Sequence, residues 1–400
     1  MKIAIIGSGI VGLTLAYDLS DKTNEVIVFE KEKDSLSHGT GRNSGVIHSG
    51  IYYIPNSLRS KLCIEGSKLM KDFILENNLY LKNCGKLLLP KKHIDLKTLE
   101  ILYQRSKKLG IDVKKLNSID EIIKIEPNCN PIYKQALFIK DTSLGDPEEV
   151  SKKLIEILKN RNIEILYNHK VIKIFPQNGK LIVNNDTFKF DIIINAAGLR
   201  ADEIAKKSSL KTNYSSLPFK GKYWRVNFNN TKHMPKTLLY PIPNLEYPFL
   251  GIHTVYDKKG NFYLGPSNTP VFGRESYNFL HKFNFLEFLN LTFKFFKKIV
   301  FNENNLRNLA LLEFRNLFLS HIKKTSNVYF KSKDNFSLEI SSKVGIRSQI
   351  FDNKTKSLFD DFVLVKQDKV IHILNAISPA WTSSFAMAKY ISKKYNLKEL

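Results

Sequence analysis

Residues 2–30 read KIAIIGSGIVGLTLAYDLSDKTNEVIVFE. The apolar run at 2–6 stops at Gly7-Ser8-Gly9, residues 10–19 carry apolar positions at helical spacing, and residues 25–30 return to a β-branched run. This is a strand, a helix and a second strand in about thirty residues, a β-α-β unit. Gly7, Gly9 and Gly12 stand at the spacing G-x-G-x-x-G between strand and helix. In that context the first glycine permits a tight turn, the second lets backbone approach a pyrophosphate, and the third allows close helix–strand packing. The phosphates would rest on the helix N-terminus, where unpaired amides and the helix dipole favour anions. Glu30 ends the second strand, placed to accept hydrogen bonds from ribose hydroxyls and to repel a 2′-phosphate.

A second segment narrows the cofactor. Residues 191–202 read DIIINAAGLRAD, a buried strand running into Ala196-Ala197-Gly198, where small residues let backbone pass close to a dinucleotide. This arrangement resembles the second cofactor segment of FAD enzymes in the D-amino-acid-oxidase superfamily, so Ala197 and Gly198 are candidate cofactor residues and FAD is the expected cofactor.

Outward from these segments, the pattern predicts helices over 57–80, 95–109 and 146–160, the last with Asp146 as cap and Pro147 at its first position. Strands are expected at 86–89, 136–139, 163–166, 170–175, 180–183 and 187–195. The region 217–272 reads as strands, 276–322 as one long aromatic helical region, 343–351 and 361–374 as strands, and 380–394 as a closing helix. The fold class is α/β: a discontinuous Rossmann-like FAD-binding domain (1–83, 141–212 and 340–400) with an inserted mixed α+β substrate domain (84–140 and 213–339).

The 400 residues suit two packed lobes. Cys63, Cys84 and Cys129 are scattered, odd in number and without a C-x-x-C pair, which predicts free thiols and no zinc site. The net charge is +24, yet only ten of the 62 basic residues are Arg and no basic stripe stands out. Solvated Lys is the reading, and nucleic acid is not an expected partner. No segment offers 18 clean apolar residues, and the N-terminus reads as a folded motif rather than a signal peptide, so the chain is expected in the cytoplasm.

Residues 41–53, GRNSGVIHSGIYY, are the most informative stretch. They resemble the matching segment of the L-2-hydroxyglutarate oxidase/dehydrogenase family. CGKL at 84–87, LPFKGKYW at 217–224, YPFLGIH at 247–253, LGPSN at 264–268, VGIRSQ at 344–349, DDF at 360–362 and NAISPAWTSS at 375–384 agree in the same order. The resemblance implies bound FAD contacted by Arg42, Asn43, Ser44, Gly45 and Val46. It implies a small 2-hydroxy dicarboxylate as substrate, L-2-hydroxyglutarate going to 2-oxoglutarate, and reoxidation by oxygen or a quinone. Gly39, Lys222, Trp381 and the turn at 142–147 depart from the family's pattern, the last three near the expected pocket or flavin.

Oxidising a 2-hydroxy acid requires a hydride acceptor, a base for the hydroxyl proton and cations for the carboxylate. His48, in the Gly-rich loop, is the first candidate base, and His253, read as ending a strand, is the second. His38 and His93 lie in polar loops and read as surface residues. Arg347 is the first candidate for the carboxylate and Arg274 the second, with Arg225, Lys222 and Tyr223 as further candidates from the substrate lobe. Tyr52 and Tyr53 read as pocket or core. Ser378 and Pro379 open the last helix, whose first amides would face the flavin's pyrimidine edge with a hydrogen bond from Thr382 or Ser383. The Phe-rich, Lys-bearing segment 277–300 suits a cap on the substrate lobe or a peripheral contact with the inner face of a membrane. An amino acid or secondary amine oxidised on the same scaffold is the second functional reading.

Overall fold

Strand Lys2–Ile6 lies inside a six-stranded sheet ordered Leu364–Gln367, Val370–Ile373, Ile192–Asn195, Lys2–Ile6, Glu25–Phe29, Glu164–Leu166. The computed structural model describes residues 1–20, 24–247, 249–278, 283–331 and 335–398. All pairs in this sheet are parallel except the outer hairpin. Both faces of the central strands are covered, so these are largely apolar, while the outer strands Leu364–Gln367 and Glu164–Leu166 carry exposed polar residues. Ile3 and Ile5 pack with helices Ile10–Leu19, Pro147–Asn160 and Ala380–Lys394 through Leu13, Leu154 and Met387. Ala4 and Ile6 pack on the opposite face against Val171, Ile174 and Leu181 of a three-stranded antiparallel sheet. Asp146 caps its helix as expected, its Oδ1 accepting from the amides of Glu148 at 2.9 Å and Glu149 at 3.3 Å.

The expected single strand at 187–195 is two strands in different sheets, Asp186–Lys189 and Ile192–Asn195. Between them the Phe190 amide donates to Gly179 O and the Asp191 carboxylate accepts from the Lys2 amide. The chain thus leaves one ladder and joins the other, a turn that hydrophobic pattern alone does not mark.

A four-stranded sheet orders Leu238–Pro241, Lys86–Leu89, Ala136–Ile139 and Val113–Leu116. A larger antiparallel sheet orders His253–Tyr256, Phe262–Gly265, Tyr214–Phe228, Phe336–Asp352 and Ser357–Leu358. Phe336–Asp352 is 17 residues long, against an expected strand at 343–351, because Tyr214–Phe228 keeps pairing with it as far as Phe228 and Phe336. The boundary expected at 339–340 therefore falls inside one strand. The region expected as one helical run is three helices, Phe285–Val300, Leu306–Arg315 and Leu319–Thr325. Asn302, Asn304 and Asn305 adopt left-handed backbone between the first two, a conformation Asn tolerates better than most residues. Residues 279–282, part of the segment 277–300, lie outside the described residues. No helix among the described residues is long and apolar enough to cross a membrane. All three cysteines are free.

A small sheet of Val46–Ile47, Ser143–Gly145 and Leu81–Asn83 sits between these bodies and carries His48 at its end.

Candidate active site

A cavity of about 930 Å³ runs from the glycine turn into the space between the parallel sheet and the large antiparallel one. At the first end, Gly7 holds φ +103, and a Cβ at Gly12 would stand 1.9 Å from Gly7 O. The helix therefore presses directly on the turn. The Ile10 amide donates to Thr40 Oγ1 at 2.9 Å, while those of Val11 and Gly12 have no partner among the described residues. Gly9 and Val11 line the cavity there. Buried Glu30 lines it too; its Oε2 accepts from Ser8 N and Oγ, and its Oε1 accepts from the Glu32 amide. Each carboxylate oxygen has two acceptor positions, so Oε1 keeps one for a ligand.

Ala197 and Gly198 line the wall after strand Ile192–Asn195. Arg42, Asn43, Ser44 and Val46 line the middle. Arg42 is anchored: its Nε donates to Ser37 O, its Nη1 to Val344 O, and its guanidinium lies 3.7 Å from the centroid of the Tyr277 ring. Gly45 is not in the wall; its carbonyl accepts from Gly145 N in the small sheet.

At the far end His48, Tyr52, Tyr240, His253 and Arg347 line the same cavity. The His48 ring is buried and its Nδ1 has no hydrogen-bond partner among the described residues. Burial above all, then Lys86, His253 and Arg59, holds this imidazole well below its usual pKa. His253 opens strand His253–Tyr256 rather than ending one. Its Nδ1 lies 2.7 Å from Gly251 O, its ring stacks on Tyr240 at 3.9 Å, and burial pushes its pKa down to about 3. Both imidazoles are thus neutral at pH 7. Arg347 makes no hydrogen bond or ion pair among the described residues; its guanidinium lies over Phe249.

A family model described as FAD dependent oxidoreductase matches residues 2–394. The chain belongs to this family. The L-2-hydroxyglutarate dehydrogenase of Indibacter alkaliphilus is 32% identical over 395 residues, covering 96% of each chain. That of Escherichia coli K12 is 30% identical, covering 98% of this chain and 92% of its own. Among solved structures, L-α-glycerophosphate oxidase from Mycoplasma pneumoniae with FAD bound superposes with a TM-score of 0.74 at 22% identity, covering 99% of this chain and 94% of that one. Glycine oxidase from Geobacillus kaustophilus gives 0.72 at 14%, covering 100% and 95%.

The residues of this FAD-dependent oxidoreductase fit the cofactor. The glycine turn leaves two helix amides open, Glu30 keeps an acceptor, and the cavity continues past Ala197 and Val46 to Trp381, whose buried Nε1 has no partner among the described residues. Pro379 and Trp381 line the wall, but Thr382 and Ser383 do not. Thr382 Oγ1 accepts from the His48 amide and donates to Val46 O. Its hydroxyl is spent on the protein, so the flavin contact expected of it is not offered. Ser383 is buried one residue further in, its Oγ without a partner among the described residues.

Arg274 is placed outside the cavity, against expectation. It is buried with its guanidinium paired to Asp202 at 2.7 Å, Glu287 at 2.7 Å and Glu203 at 3.1 Å. Three carboxylates nearby leave it no charge for a ligand. Arg225 is exposed beside Asn261 and Glu339, and half-buried Lys222 does not reach the wall; Tyr223 does. His93 is exposed, but His38 is no surface residue: its ring nitrogens lie 3.0 Å from Glu32 Oε1 and from Tyr277 Oη. Glu32, His38 and Glu275 could gather around a cation, yet the Lys31 ammonium already occupies that position, 2.8 Å from Glu275. Two cations escaped the sequence reading. Buried Arg59 lines the cavity, pairs with Asp360 and donates to Ser378 O, bracing the start of the last helix. Lys86 is wholly buried close to His48.

Proposed function

We propose that this flavoenzyme oxidises L-2-hydroxyglutarate to 2-oxoglutarate. One observation carries the reading: a neutral imidazole (His48) and a guanidinium (Arg347), neither with a hydrogen-bond partner among the described residues, line the cavity that begins at the dinucleotide turn. Relatives that cover nearly the whole chain and bear the name L-2-hydroxyglutarate dehydrogenase support it. Arg347 binds the carboxylate beside the carbinol and fixes the Cα–H, and His48 takes the hydroxyl proton. His253, with Nε2 left as an acceptor if Nδ1–H donates to Gly251 O, is the alternative base. Gly7, Gly9, Gly12, Glu30, Arg42, Asn43, Ser44, Val46, Ala197 and Gly198 hold FAD, which when bound supplies the hydride acceptor. Segments 1–83, 141–212 and 353–400 form the cofactor side, and 84–140 with 213–352 the substrate side, the boundary expected at 339–340 moving to the end of strand Phe336–Asp352. Electrons then pass to oxygen or a quinone.

An exposed apolar face favours the quinone. Phe285, Leu286, Phe293 and Phe296 of helix Phe285–Val300 and Leu311, Leu312 and Phe314 of helix Leu306–Arg315 face solvent, with exposed Lys297 among them and half-buried Lys294 beside them. Such a face fits an anionic bilayer surface, the inner face of a cytoplasmic membrane. Flotation with anionic but not zwitterionic liposomes is the expected result; no flotation with either removes the membrane contact.

The function itself is tested by supplying purified holoenzyme with L-2-hydroxyglutarate and a quinone analogue. Stoichiometric 2-oxoglutarate supports the proposal, and its absence with both the analogue and oxygen overturns it.

A further inference from the structure

Lys86 opens the strand Lys86–Leu89, and its side chain is 0% exposed. Its Nζ has no hydrogen-bond partner among the described residues. The ammonium lies 4.5 Å from the centroid of the Tyr52 ring and 5.2 Å from that of Tyr240. Lys86 is not in the cavity wall but both tyrosines are, so the cation stands one aromatic layer behind it. Tyr52 Oη and Tyr240 Oη are themselves buried without partners among the described residues, as is His48 Nδ1. The titratable groups that face Lys86 are Cys63 and Cys84 on its own side, His48 and His253 across the cavity wall, and the two tyrosines; no carboxylate is among them. A buried cation without a counter-ion is costly, and ring faces offset only part of that cost. Buried polar atoms without partners call for an occupant that supplies them.

Two cations therefore stand at one cavity without a hydrogen-bonded partner among the described residues, half-buried Arg347 in its wall and buried Lys86 one aromatic layer behind it. A 2-hydroxy dicarboxylate brings two negative charges. We propose that Arg347 holds the carboxylate beside the carbinol, while Tyr52 and Tyr240 donate to the second carboxylate with Lys86 as its buried counter-charge. This cluster then selects dicarboxylates over monocarboxylates. The inference rests on the proposed reaction and adds to it the residues that read the substrate's far end. Lys86 acts through the two tyrosines and is a positioning residue for specificity.

Burial pushes the Lys86 ammonium down to about 7, which gives a readout independent of turnover. A dianion near it favours the charged form, so binding draws in a proton. Holoenzyme titrated at pH 7 with glutarate, in weakly buffered solution with a pH indicator, takes up about half a proton per site on this account. Butyrate, a monoanion, causes no uptake. Glutarate binding without uptake overturns the inference and needs no variant.

Turnover supplies the second arm. Wild-type enzyme prefers L-2-hydroxyglutarate to L-2-hydroxybutyrate, and Lys86→Met lowers that ratio of kcat/KM about tenfold or more, as loss of a desolvated charge partner does. A general structural fault lowers both activities and leaves the ratio. An unchanged ratio in a folded, yellow variant removes the role of Lys86 while the oxidation of L-2-hydroxyglutarate stands. Wild-type enzyme that oxidises neither hydroxy acid removes the functional proposal and this inference with it.

Discussion

The amide of His48 donates to Thr382 Oγ1 at 3.1 Å, and that hydroxyl donates onward to Val46 O at 3.3 Å. One buried side chain of the last helix thus ties down the loop that carries the candidate base, across 334 positions of sequence. Thr382→Val keeps the volume and removes both bonds, leaving a buried donor and acceptor unpaired at about 1–3 kcal/mol each. The expected outcome is a lower melting temperature and a lower kcat with FAD still bound. Thr382→Ser restores both.

His48→Asn removes the proton acceptor and keeps a polar side chain in its place. Reduction of bound flavin by L-2-hydroxyglutarate slows by about 10²–10⁴-fold, the usual worth of a positioned base. Flavin absorbance of the purified variant stays unchanged. His253→Asn, altering the alternative base, has the smaller effect.

The two arginines separate cleanly. Arg347→Met removes a cation facing the cavity and raises KM for L-2-hydroxyglutarate by about 30-fold or more, the loss expected when one partner of a buried charge pair goes. Arg274→Met removes no cation from the cavity wall, although its partners Glu203 and Glu287 line it, and leaves KM near the wild-type value. It leaves Asp202, buried like Arg274 itself, without its partner, and lowers stability by about 3–5 kcal/mol.

Gly12→Ala places a Cβ 1.9 Å from Gly7 O, and that neighbour is backbone that cannot swing aside. The helix must lift off the turn. The variant is expected to purify colourless or aggregated, and a yellow, stable Gly12→Ala protein contradicts the packing described.

Acid lowers stability through the buried histidines. His253 has a folded value of about 3 against an ordinary 6.5, so the unfolded chain takes up the proton first. Stability is complete above pH 6.5 and declines as pH falls from there toward 3. His48 acts in the same direction. Melting temperatures measured from pH 7 to pH 5 therefore fall more for the wild type than for His253→Gln.

Much of the cofactor end was legible because its requirements are local. Gly7, Gly9 and Gly12 must be glycine for reasons of turn geometry and approach, and strand and helix flank them in sequence. The cap at Asp146 and the closing helix Ala380–Lys394 follow from the same local signals. The break between Asp186–Lys189 and Ile192–Asn195 was not legible, because two sheets share one apolar run. Arg274 reads like Arg347 along the chain; only folding shows three carboxylates around the first and none paired with the second. His38 is half-buried against Tyr277, far away in sequence. Lys86 left a trace, a lone Lys opening the run K-L-L-L of a wholly buried strand, which marks a cation with nowhere to reach solvent.

The most direct test is anaerobic stopped-flow absorbance of the holoenzyme mixed with L-2-hydroxyglutarate, with a panel of amino acids alongside. Rapid bleaching of the flavin band by the hydroxy acid and none by the amino acids is the expected result. Bleaching by an amino acid alone, or by none of these compounds, contradicts it.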